Sequence, residues 1–203
     1  MIDKKHWYDG IIYDKFIAPN QDRLFKLISA LIPEGSSVLD VGCGTGRLEF
    51  QLAEKCSKVV CIDLSSKNIN LANKKLGETN YKNIEFVHGT IEEFESGQKE
   101  KFDFAVMTYV IHEVDEKLRL PILKAMKEKA NKIIIGDYLV PRPGGFWSGF
   151  NTLVEFAAGS DHYNNFKSFV AKGGLQNLAE EGGFTIVKDI QNKPNTAQLV
   201  VLE

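Results

Sequence analysis

Apolar residues along the chain follow two alternating rhythms. Short β-branched or aliphatic runs at Ser37–Val41, Lys58–Ile62, Ile84–Val87, Phe102–Thr108 and Lys132–Gly136 have the length and composition of buried strands. Between them, apolar positions recur at helical spacing. A segment around Asp22 to Ile32 reads as an amphipathic helix. Leu48, Leu52, Phe50 and Ala53 mark a second, Ile69, Ala72 and Leu76 a third, and Leu118, Ile122, Leu123 and Met126 a fourth. Ser65 or Ser66 is placed to cap the third helix, and Gly77 sits where a left-handed C-cap belongs. Strands alternating with helices build βαβ units, so the pattern predicts an α/β domain with a largely parallel sheet and helices on both faces.

The end of the chain breaks the rhythm. Phe184–Ile190 and Thr196–Leu202 are two strand patterns joined around Lys193-Pro194-Asn195, a turn too short for a parallel crossover. They are expected to close a seven-stranded sheet as an antiparallel hairpin, with a ligand site at the carboxyl ends of strands one and four. From Asp137 to Asn165 no period is clear. Long loops of that kind are functional or disordered, and the aromatics Phe146, Trp147, Phe150, Phe156 and Tyr163 argue against disorder. They read either as an apolar wall over a ligand or as a packing cluster beneath the loop.

Length and charge narrow the function. At 203 residues the chain fits one domain, 1–203, in which 1–33 carries an N-terminal lid and first helix and 137–165 a loop insertion. A formal net charge of -2 gives no basic face, so no nucleic-acid partner is expected. No apolar run approaches the roughly 18 residues of a membrane span. Asp3, Lys4, Lys5 and Asp9 interrupt any leader-like stretch, which points to the cytoplasm. Cys43, Cys56 and Cys61 are odd in number and contain no C-x-x-C pair, so neither a disulfide framework nor a metal site is expected.

The candidate chemistry centres on Asp40-Val41-Gly42-Cys43-Gly44-Thr45-Gly46, which follows a strand and opens a helix. Glycines let the backbone turn sharply and approach a ligand, and the free N–H groups of the following helix face whatever lies there. Asp63 ends the next strand about 20 residues on, the place of a ribose-binding carboxylate in nucleotide folds. A dinucleotide fingerprint would need glycine at position 47, where Arg47 stands.

These residues resemble the class I S-adenosylmethionine-dependent methyltransferases, whose first motif, D/E-x-G-x-G-x-G, is matched in full from Asp40 to Gly46. The resemblance extends over Val59–Ser65, Phe86–Glu92, Phe102–Val106 and Val110–Val114, and to the terminal hairpin that dehydrogenases lack. It implies a Rossmann-like fold with S-adenosylmethionine as cofactor. It further implies that Asp40, Gly42, Cys43, Gly44, Thr45 and Gly46 hold the methionine end and that Asp63 and Leu64 hold the ribose. Thr90 and Ile91 would meet the adenine edge, and Met107 and Thr108 would back the cofactor. Thr90 stands where many members carry an aspartate, which leaves Glu92 or the backbone of Thr90 and Ile91 to meet the adenine amine. The segment from His6 to Phe16 resembles the family's aromatic lid, with Tyr8 or Tyr13 on the methionine carboxylate; a plain packing helix is equally open.

His112 and Glu113 follow strand four on the side expected for the acceptor. His112 is the candidate to take a proton there, against a structural capping role. His88 ends a strand and reads as structural, while His162 divides between acceptor contact and surface. Met107-Thr108-Tyr109-Val110 lacks the N/D-P-P-Y run of amino-methylating enzymes, and Tyr138 after Asp137 breaks the acidic set of catechol-type enzymes. A small, partly apolar acceptor remains. The other readings are a non-catalytic cofactor-binding subunit, a methyltransferase acting on protein or RNA, and a nicotinamide-dependent dehydrogenase.

Overall fold

A computed structural model of the chain describes residues 21–95, 101–144, 149, 152, 155–156, 159–192 and 196–203. One seven-stranded sheet runs through them in the spatial order β3-β2-β1-β4-β5-β7-β6. Its strands are β1 (Ser37–Val41), β2 (Lys58–Asp63), β3 (Ile84–His88), β4 (Phe102–Thr108), β5 (Ala130–Tyr138), β6 (Ile186–Gln191) and β7 (Ala197–Leu202). The first five pair in parallel. β7 is antiparallel to both β5 and β6 and lies between them. Strand order reverses between β1 and β4, which opens a crevice at their carboxyl ends.

Alternation along the strands sends side chains to two separate cores. Val38, Val59, Cys61, Val106 and Ile134 meet helices α1 (Asp22–Leu31), α2 (Arg47–Leu52) and α3 (Ser66–Gly77) on one face. Leu39, Val60, Ile62, Met107, Ile133 and Ile135 meet α4 (Glu116–Lys129), α5 (Ser160–Ala171) and α6 (Gly174–Gly182) on the other. Two-residue alternation feeding two cores is what a sheet covered on both sides requires. Each fully buried Leu or Ile contributes about 1.5–3 kcal/mol of transfer free energy.

The observed elements correct the expectations from sequence in four places. β5 begins at Ala130 and continues to Tyr138. With α5 starting at Ser160, the aperiodic stretch shrinks at both ends. Gly77 is the last residue of α3 rather than a left-handed cap; Glu78 closes that helix in the right-handed region. The short helix α6 had no counterpart in the periodicity, because glycines bracket it: Gly173 and Gly183 take left-handed conformations at its two ends. The turn at 193–195, the lid tyrosines Tyr8 and Tyr13, and Phe146, Trp147 and Phe150 lie outside the described residues.

Candidate active site

Two groups of polar side chains gather at the carboxyl edge of the sheet. The first surrounds the glycine loop. Gly42, Gly44 and Gly46 have φ of 86°, 59° and 81°, a region that costs a residue with a Cβ about 1–2 kcal/mol. Packing adds a second constraint. A Cβ on Gly42 would stand 2.4 Å from Val110 Cγ2, and one on Gly46 would stand 2.5 Å from Phe86 Cζ. Glycine is therefore required at 42 and 46 by the loop's own neighbours.

Asp63 ties this loop to the next. Its Oδ2 accepts from the Gly44 amide at 2.8 Å and its Oδ1 from the Ser65 amide at 2.7 Å. Both oxygens thus accept from backbone amides, one on each of the two loops. Ser65 in turn caps α3 by accepting from the Asn68 amide, as its sequence position predicted. Leu64 presents its carbonyl to His88 Nε2 at 3.1 Å, which gives His88 a structural role. Thr90 Oγ1 accepts from the Glu93 amide at 3.2 Å, while Ile91 and Met107 are packed in the core and Thr108 is buried at the end of β4. Thr45 and Cys43 complete the loop, Thr45 buried and Cys43 half-buried. Burial raises the Cys43 thiol well above its ordinary range.

Asp40 lies beneath the loop, 1% exposed, against Glu49 of α2 at 0%. Neither carboxyl receives a donor from another described residue. A proton held between them supplies the missing hydrogen bond. Burial pushes Asp40 up to about 6, and burial together with Asp40 pushes Glu49 well above the usual carboxylate range. Sequence periodicity marked Glu49 only as a helix position; nothing in it signalled a second buried acid. A buried carboxyl short of donors, a row of turned glycines and an anchored Asp63 fit an amino-acid-bearing nucleoside with a cationic end.

The second group centres on His112, on a 3-10 turn (Ile111–Glu113) directly after β4. The chain reaches it through Tyr109, a non-glycine residue with φ of 54°. Asp137 near the end of β5 holds His112 by Nδ1···Oδ1 at 2.7 Å and also accepts from the His112 amide. Glu155 Oε2 is 3.4 Å from His112 Nε2 and bonds His162 Nε2, while its Oε1 accepts from the Tyr138 hydroxyl at 2.6 Å. Phe166 and Tyr138 enclose the imidazole edge-on, and the Arg142 guanidinium lies over both rings.

The charges around His112 act on its proton in opposite directions. Burial pushes the imidazole down, but Asp137 and Glu155 outweigh it and hold it well above its usual value. Burial likewise pushes Glu155 up, and the two imidazoles reverse this, leaving it well below the usual carboxylate range. A histidine clamped between two carboxylates holds a proton more tightly than a free imidazole does. His162, divided in the sequence between surface and contact, is 7% exposed and belongs to the same group. Of the expected aromatic wall, Tyr163 packs edge-on against Phe156, which is 65% exposed. Asp137 stood in the sequence as a loop boundary and as part of an acidic set that Tyr138 breaks, and Glu155, in the aperiodic stretch, carried no signal.

Comparison with known proteins agrees with this geometry. A methyltransferase-domain family matches residues 38–131, which span the glycine loop, Asp63, Thr90 and His112. The demethylmenaquinone methyltransferase of Bacillus velezensis is 26% identical over 83% of this chain and 78% of its own length. A ribosomal RNA small subunit methyltransferase G of Clostridium botulinum is 31% identical over 52% of this chain and 40% of its own. Magnesium protoporphyrin IX methyltransferase from Synechocystis, solved with S-adenosylmethionine, superposes with a TM-score of 0.63 at 16% identity, covering 96% of this chain and 84% of that one. The family match over residues 38–131, together with these relatives and neighbours, supports a class I S-adenosylmethionine-dependent methyltransferase.

Proposed function

We propose that the protein transfers the methyl group of S-adenosylmethionine to a small, partly apolar molecule. The observation that carries this reading is Asp63, fixed to both the glycine loop and the start of α3 at the switch point of the sheet. In this reading Asp63 and Leu64 hold the ribose, and Gly42, Cys43, Gly44, Thr45 and Gly46 wrap the methionine end above Asp40. Thr90 and Ile91 border the adenine, and Met107 and Thr108 back the cofactor. Residues 1–203 act as one domain, in the cytoplasm.

The sulfonium is already an activated leaving group. Its C–S bond breaks with the electron pair going to sulfur as the acceptor atom bonds the methyl carbon. The protein's task is alignment and exclusion of water, which supplies as much as roughly 7–11 kcal/mol. His112 stands on the acceptor side, turned by Asp137. Tyr138 and Phe166 pack edge-on against His112, so the surroundings of this edge are ring-rich, as a flat or aliphatic acceptor favours. The small-molecule relative aligns over more of this chain than the ribosomal RNA relative does, and the net charge of -2 supports the same choice. Isothermal titration with S-adenosylhomocysteine is expected to give a micromolar dissociation constant, about -8 kcal/mol. A screen of quinones, phenols and amines for S-adenosylhomocysteine release, with structured RNA as a separate arm, then tests the acceptor class. Turnover on RNA alone rejects it.

A further inference from the structure

The densest set of metal-ligating side chains among the described residues is the one around His112. One ligating atom from each of His112, Glu113 and His162 lies within 4.8 Å of the other two. His112 and Glu113 come from the turn after β4 and His162 from the first turn of α5, and these two elements pack together. Two imidazoles and one carboxylate suit borderline first-row cations such as Zn²⁺, Mn²⁺ or Fe²⁺, whereas Mg²⁺ and Ca²⁺ take oxygen-rich sets.

The surroundings are built as such a site needs. A metal-bound imidazole commonly gives its other N–H to a carboxylate, which fixes the tautomer and ring orientation. Each ring has a carboxylate beside it: His112 Nδ1 is 2.7 Å from Asp137, and His162 Nε2 is in ion-pair contact with Glu155 Oε2, which also lies 3.4 Å from His112 Nε2 and must give way there to an ion. The opposite nitrogen of His162, Nδ1, faces Glu113 Oε2 at 3.6 Å. Tyr138 donates to Glu155 and so holds the carboxylate that orients His162. Ligands at about 2.0–2.2 Å from one ion stand roughly 3.3–3.5 Å apart, so the 4.8 Å spread must contract. Glu113 is the most accessible of the three, with a side chain 21% exposed, so the contraction falls on it.

We propose that His112, Glu113 and His162 bind one divalent first-row transition-metal ion, with Asp137 and Glu155 orienting the two imidazoles. Three protein ligands leave coordination positions for water or an acceptor oxygen. The ion's service to the acceptor rests on the methyl-transfer reading; the binding of the ion does not. The competing account is a cluster of protonated imidazoles and carboxylates that takes no metal.

Tag-free full-length protein, stripped with chelator, separates the two by titration with Co²⁺ followed by visible absorption, then displacement with Zn²⁺. The expected result is one Co²⁺ per chain, displaced by Zn²⁺. Glu113→Gln and His162→Gln should each weaken binding 100-fold or more, and Asp137→Asn about 10- to 100-fold, as loss of an orienting carboxylate does. The absence of any Co²⁺ spectrum at about 1 mM overturns the proposal, as does wild-type affinity in Glu113→Gln. The wild-type titration needs no variant, so it decides the matter even if His162→Gln misfolds. Titration of the same sample with S-adenosylhomocysteine keeps the two readings apart. Homocysteine-nucleoside binding without Co²⁺ rejects the metal site alone, whereas Co²⁺ binding without it supports the metal site and rejects the methyl-transfer reading.

Discussion

Asp63 has a structural job that the sequence did not separate from the proposed ribose contact. Its position at a strand end announced a ribose carboxylate, but the hydrogen bonds to Gly44 and Ser65 show that it also shapes the loop it serves. Asp63→Ala is expected to weaken S-adenosylhomocysteine binding by about 2 kcal/mol or more, since each charge-assisted bond contributes roughly 1.5–3 kcal/mol. Titration calorimetry on a variant with an unchanged circular dichroism spectrum measures it; equal affinities would remove Asp63 from the ribose. Glu49 is the opposite case. A buried acid on a short helix looks like any solvated glutamate until its neighbour Asp40 is seen. Both carboxyls hold protons more tightly in the folded chain than in the unfolded one, Asp40 up to about 6. Their contribution to stability is thus greatest at low pH. It falls as pH rises from the ordinary carboxylate range through about 6 and beyond. Glu49→Gln keeps a donor for Asp40 and removes one titrating group. It should flatten the fall in melting temperature between roughly pH 5 and 8 and stabilise the protein at pH 8 by about 1–2 kcal/mol. Parallel melting curves for wild type and variant across that range would show that the two carboxyls do not share a proton.

Among the elements, the central strands were legible because burial on both faces leaves an unmistakable apolar run. β1 runs over the predicted span, Ser37–Val41, and β2, β3 and β4 end within a residue of expectation. Helix ends were harder. Gly77 suggested a left-handed cap, yet α3 runs through it and ends in an ordinary right-handed residue; glycine permits the left-handed region without compelling it. Around α6, glycines at 173, 174, 182 and 183 mimic loop composition and hide a helix of nine residues. The site divided in the same way. The glycine loop and Asp63 form a local motif, readable from spacing. The His112 group joins residues from β5, the turn after β4, α5 and the segment around Glu155, which only the fold brings together. The loop supplies a test at this scale. Gly46→Ala must adopt φ near 81° and push a methyl group toward Phe86, 2.5 Å away. The left-handed backbone alone costs about 1–2 kcal/mol, and displacement of the Phe86 ring adds to it. Urea unfolding should therefore show a loss of about 2–4 kcal/mol. A loss below about 1 kcal/mol would mean that the ring moves freely and that Gly46 serves ligand approach alone.

For the whole molecule, the terminal hairpin closes the structure rather than decorating it. After β5 the described residues include α5 and α6 on one face, and the last strand returns between β5 and β6. All six residues of β7 are buried, and its backbone pairs with β5 from Ile133 to Tyr138. Asp137 and Tyr138, which hold His112 and Glu155, are therefore positioned by a strand from the far end of the sequence: Asp137 pairs with Gln198 and Tyr138 with Ala197. Leu199, Val200, Val201 and Leu202 are all buried apolar residues. At about 1.5–3 kcal/mol each they contribute roughly 6–12 kcal/mol of transfer free energy, comparable with the roughly 5–15 kcal/mol by which a domain is stable at all. Deleting residues 184–203 should accordingly abolish cooperative unfolding in urea and expose an unpaired β5 edge prone to association. The matched control is Val187→Thr on β6, where the side chain is 48% exposed; its midpoint should shift by no more than about 0.5 kcal/mol, as surface changes do. If the truncated chain instead unfolds cooperatively with a normal slope, the five parallel strands and their helices are a domain by themselves. β7 would then serve only to align Asp137 and Tyr138, and the truncation would lose the His112 group while keeping S-adenosylhomocysteine binding.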